Sequence, residues 1–74
     1  MTVSRIRRMI PKSKQNAIGE IYEDSDGFWI VLRDGWNADG EDFDCRTIHC
    51  GGDGETEAST LEDLKYQISM IRKL

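Results

Sequence analysis

The sequence predicts an α+β domain: a small three-stranded antiparallel sheet with one C-terminal helix packed on one face, in β-β-β-α order. Three observations carry this. AIGEIYED (17–24) and FWIVLR (28–33) flank Ser25-Asp26-Gly27, two strand-like runs around a strong turn signal. FDCRTIHC (43–50) reads as a third strand, antiparallel to the second and reached through the polar connection DGWNADGED (34–42). In STLEDLKYQISMIRKL (59–74) the apolar residues Leu61, Leu64, Ile68 and Ile71 recur at helical spacing, a stripe that needs burial.

The hairpin has a definite inside. Whether its loop is Asp26-Gly27 or residues 24–27, facing residue numbers sum to an odd value. Ala17, Gly19, Ile21, Phe28, Ile30 and Leu32 then share the core face. Ile18, Glu20, Tyr22, Trp29, Val31 and Arg33 share the other.

GGDGETEA (51–58) is an acidic, glycine-rich loop. The helix after it is expected to open with Ser59 as N-cap and Glu62 completing a capping box, with Asp63 near its positive end and Arg72 and Lys73 near its negative end. Residues 1–16 carry two patterns at once. Ile6 and Ile10 suit a helix, Ser4, Ile6, Arg8 and Ile10 also alternate, and Pro11 ends either element. They are expected as a basic N-terminal arm or an extra edge strand, leaving 17–74 as the single β-β-β-α domain.

With 74 residues, 38% hydrophobic and 32% charged, the composition is that of one small globular domain. No apolar run approaches the ~18 residues of a membrane span, and MTVSRIRRMIPK lacks a secretory apolar core, so a cytoplasmic protein is expected. The net charge of −4 is split: Arg5, Arg7, Arg8, Lys12 and Lys14 give +5 over residues 1–14, against −9 for the rest. A basic arm suits phosphate, whereas an acidic body suits a basic protein surface.

FDCRTIHC holds both cysteines and the only histidine. A zinc site needs four ligands, and Cys45, His49 and Cys50 have no second CxxC or HxxxH to join them. In a straight strand Cys45 lies about 13 Å from His49, and alternation sends Cys50 to the opposite face. The same separation forbids a Cys45–Cys50 disulfide, so the sulfurs are expected as packed thiols and no metal or cofactor is expected. Asp-Gly recurs at 26–27, 34–35, 39–40 and 53–54, yet no Glu falls at position 12 of an EF-hand loop built on Gly27, Gly40 or Gly54. Neither GxGxxG nor GxxxxGK[ST] occurs, and carboxylates such as Asp42, Asp44, Asp53 and Glu55 have little wall around them for a cleft in so small a domain. No catalytic constellation emerges.

What remains is surface. Tyr22, Trp29 and Val31 lie on the sheet face that one helix cannot cover, and Trp36 is a large indole in an otherwise polar loop. Asp34, Asp39, Glu41, Asp42 and Asp44 surround it; residues 34–57 contain eight acids against one base, Arg46. The expected function is a non-catalytic protein-binding module that docks onto a basic partner through these residues. In size and charge the chain is similar to phage-encoded or mobile-element inhibitors whose acidic surface imitates nucleic acid, though it carries no motif of any such family. The alternative is a nucleic-acid binder in which Arg5, Arg7, Arg8, Lys12 and Lys14 track the backbone and sheet aromatics stack on bases. A homodimer through a strand edge or the uncovered face is a further outcome of the same surface.

Overall fold

A computed structural model of the protein describes residues 1–38 and 45–74. In chain order its elements are α1 (Val3–Met9), a 3-10 turn (Lys12–Ala17), β1 (Ile18–Asp24), β2 (Gly27–Leu32), β3 (Trp36–Asn37), β4 (Thr47–Cys50), α2 (Glu57–Ser69) and β5 (Arg72–Lys73). The expected architecture is present: an antiparallel sheet in the order β1-β2-β4, with Leu64 and Ile68 of α2 buried in one cluster with Ile30 and Ile48. A second, two-stranded ladder pairs Trp36 with Lys73 and Asn37 with Arg72. The polar connection expected over 34–42 thus contains a strand, and its Asn37 is buried.

The hairpin turns at Ser25 and Asp26, and the positive φ that closes it falls on Gly27 (φ 126°). A Cβ on Gly27 would collide with the carbonyl oxygens of Cys50 and Gly51, so glycine is needed here for space as well as for conformation. The odd-sum register holds from Asp24↔Gly27 to Glu20↔Val31. It then slips by one, and Ile18 faces Leu32. Gly19 takes up the extra residue, and a Cβ added there would lie 3.2 Å from the Val31 carbonyl oxygen. This corrects the face assignment: the bulge turns Ile18 into the core and leaves Gly19 exposed.

The third strand is antiparallel to the second, as expected, with Ile30 opposite Ile48 and Trp29 opposite His49. It begins at Thr47, so Cys45 and Arg46 of the expected strand lie outside it. Arg46 and Cys45 precede it and still lend their carbonyls, to Leu32 N at 2.7 Å and Ala38 N at 2.7 Å. Phe43 and Asp44 lie outside the described residues.

Residues 1–16 are neither an extended arm nor an edge strand. Thr2 caps α1 by accepting from Arg5 N, and Ile6 (0% exposed) and Ile10 (3%) enter the same core as the sheet. The choice between the two sequence patterns is physical. Alternation would bury Ser4 and Arg8 beside the isoleucines, whereas the helix turns Val3 and Ile6 inward, with Ile10 following at its extended C-cap, and leaves Arg7 and Arg8 in water.

α2 starts one turn earlier than expected. Thr56, not Ser59, is the N-cap: its hydroxyl accepts from Ser59 N at 3.1 Å, while Ser59 Oγ donates to the Thr56 carbonyl. The earlier start buries Thr60, whose hydroxyl donates to Glu55 at 3.1 Å, and leaves Leu61 only half-buried. At the other end α2 stops at Ser69, so Arg72 and Lys73 form β5 rather than the helix terminus. Lys14 takes their place, its Nζ donating to the carbonyls of Ile68 (2.9 Å) and Ser69 (3.1 Å).

Candidate protein-binding face

Both helices contribute to the core side of the sheet, and the other side is left to Glu20, Tyr22, Trp29, Val31, Thr47 and His49. Three aromatic rings cross it in a row, one from each strand. Tyr22 and Trp29 stack with centroids 6.4 Å apart and planes 16° from parallel; Trp29 and His49 lie 4.2 Å apart at 31°. Register produces the row, because Trp29 of the central strand faces Tyr22 on one side and His49 on the other. Tyr22 is exposed and Trp29 half-buried.

Polar contacts tie two of these rings, Trp29 and His49, to the hairpin turn. Trp29 Nε1 donates to Asp24 Oδ1 at 3.0 Å, and the same oxygen accepts from Asp26 N at 2.8 Å, tying the indole to the hairpin turn. The indole bond, followed by the Asp26 amide, holds the Asp24 carboxyl below its ordinary range. His49 Nε2 donates to the Asp26 carbonyl at 2.7 Å, so indole and imidazole are both hydrogen-bonded to the hairpin turn. A preorganised aromatic surface of this kind loses little side-chain freedom on binding.

The other expected contact residues fall elsewhere. Trp36 is half-buried and packs against the core cluster from β3. Asp34 is exposed and pairs with Arg46. Asp39, Glu41, Asp42 and Asp44 lie outside the described residues. Of the cations assigned to the nucleic-acid alternative, Arg5 pairs with Glu57 at 2.9 Å and Lys14 is engaged at the end of α2. Arg7, Arg8 and Lys12 are exposed.

The sulfur segment keeps its groups apart. Cys50 points into the core and His49 to the open face, while the half-buried Cys45 donates weakly to the Thr47 carbonyl at 3.6 Å. Burial, with Asp63 and Glu55 adding repulsion, pushes the Cys50 thiol up to about 11. Among the described residues no three His, Cys, Asp or Glu side chains are arranged to hold a metal ion. A depression of about 340 Å³ between α1 and the last turn of α2 is lined by Met9, Pro11, Lys14, Lys65, Ile68 and Ser69, and offers no carboxylate, imidazole or thiol.

Sequence reasoning missed His49 as a member of the aromatic row. The signal was available, because an antiparallel third strand sets an alternate residue beside Trp29, and the exposed parity of 47–50 includes His49. Comparison with protein-family models, with curated proteins and with solved structures returned no match. Among the described residues no helix is long and apolar enough to cross a membrane.

Proposed function

We propose that the protein is a non-catalytic binding module that presents its open sheet face to a basic surface of another protein. One observation carries the reading: Tyr22, Trp29 and His49 form an aromatic row on the side of the sheet that neither helix occupies. Tyrosine and tryptophan are the usual anchors of protein interfaces, and both rings attract cations above their faces.

Charge selects the partner. Glu20, Asp24 and Asp26 border the row from β1 and the hairpin turn, and the body of the chain is acidic. Lysine and arginine side chains of a partner gain from both the rings and the carboxylates, and like-charged surfaces are rejected. The acids of 34–57 add a negative field of the kind that phosphate presents, which suits a partner whose own ligand is nucleic acid. A cytoplasmic site of action suits the two free thiols.

Two features weigh against direct nucleic-acid binding. Arg5 and Lys14 have intramolecular partners, and residues 3–9 are a packed helix rather than a free arm able to follow a strand. The test is affinity capture with wild type, Trp29→Ala and Tyr22→Ala, beside an oligonucleotide titration. Capture of high-pI proteins that both variants release is the expected result. Oligonucleotide binding that weakens with salt and disappears in the triple variant Arg7→Ala, Arg8→Ala, Lys12→Ala overturns the reading.

A further inference from the structure

β1 lies at the outer edge of the main sheet. In an antiparallel pair, alternate residues direct both peptide groups away from the neighbour. β1 therefore carries a row of N–H and C=O groups that no strand takes up among the described residues. At the start of β1 the Ile18 carbonyl accepts from Arg33 Nε at 3.1 Å, so the open stretch is Glu20–Asp24. The opposite edge is capped further along. Beyond β4, Gln67 Nε2 donates to the His49 carbonyl at 3.1 Å, and Ala38 N donates to the Cys45 carbonyl at 2.7 Å. β1 is also long for an edge, seven residues, and contains neither proline nor lysine, two devices that block strand addition. Its bulge at Gly19 disturbs the beginning and leaves Glu20–Asp24 in regular register.

We infer that the free edge of β1 accepts an extended, lysine- or arginine-rich segment of the partner protein as an added strand. The inference rests on the sheet-face reading above and names the form in which the partner arrives. Charge decides the occupant. Glu20, Glu23 and Asp24 are exposed on β1, which contains no basic residue, and neither Glu20 nor Glu23 has an ion pair among the described residues. A second copy paired antiparallel along β1 would set this acidic set against its own equivalent, which is unfavourable. A cationic strand removes that repulsion. Backbone bonds to β1 supply affinity, and alternate side chains emerge beside Tyr22 on the open face, within reach of its ring and of Glu20.

The probe is a short synthetic peptide alternating arginine and valine, compared with the same peptide methylated on alternate backbone nitrogens, which keeps charge and removes ladder donors. Binding is read by tryptophan fluorescence and by amide exchange. The methylated peptide is expected to bind at least about tenfold more weakly, and the parent peptide to slow exchange of β1 amides. The double variant Glu20→Lys, Glu23→Lys is expected to weaken the parent peptide by about tenfold or more, with sedimentation showing one protein chain per complex. Equal binding of the two peptides, unchanged β1 exchange, no binding of either, or a β1-linked protein dimer overturns the inference. Trp29→Ala separates it from the sheet-face reading. If that variant loses the peptide while methylation has no effect, the face stands and the edge fails; if it binds like wild type and methylation still matters, the reverse holds.

Discussion

The ammonium of Lys14 lies 2.9 Å from the carbonyl oxygen of Ile68, capping the last turn of a helix more than fifty residues away in sequence. With a second bond to Ser69 it neutralises the negative end of α2, where the chain places no basic residue of its own in the last turn. Replacing Lys14 with Met keeps the aliphatic stem and removes the charge. The variant should lose about 1–2 kcal/mol in urea unfolding, and raising salt should narrow the gap to wild type.

Ile6 tests whether the N-terminal segment belongs to the fold. It is fully buried in the common core, so Ile6→Ala should cost about 2–5 kcal/mol, much of the stability of a 74-residue domain. A chain lacking residues 1–16 should fail to give a cooperative thermal transition. A truncated protein as stable as the full chain would show that the segment is dispensable.

Gly27 combines a φ of 126° with close carbonyls at the end of β4. Gly27→Ala should destabilise by more than about 2 kcal/mol, a fall in Tm of at least about 8 °C in a domain of this size. Gly35→Ala meets no neighbouring atom and carries only the backbone strain of its φ of 88°, so its Tm should fall less.

The Cys50 thiol is held at about 11 against an ordinary 9.0, because burial disfavours the thiolate. Its contribution to stability is complete below about 9 and is lost as pH rises from there through about 11, since only the unfolded chain ionises freely in that interval. Urea midpoints should fall more steeply between about pH 9 and 11 for wild type than for Cys50→Val. With a thiol reagent at neutral pH, the half-buried Cys45 should react first and Cys50 only on unfolding.

The Asp24 carboxyl is lowered from 3.8, first by its bond from the Trp29 indole. Its stabilising effect is therefore present above about 3.8 and is lost as pH falls through the lower folded value. The Trp29 Nε1–H resonance should shift in that acid range, and Asp24→Asn should abolish the titration.

The hairpin, the antiparallel third strand and the helical stripe at Leu64 and Ile68 were legible because each rests on local periodicity and turn chemistry. So was the open face bearing Tyr22, Trp29 and Val31, since alternation divides a strand whatever surrounds it. The sequence by itself determined these, together with the acidity of β1. Only the tertiary structure decided the rest. Helix or strand for residues 3–9 depended on a core that buries Ile6 and Ile10 but has no place for Arg8. The slip at Gly19 required the Val31 carbonyl to pass close by, Lys14 found its carbonyls across the fold, and His49 joined Trp29 by register. These are contacts between distant parts of the chain. Local preference cannot encode them, because their energies appear only once the strands and helices have met.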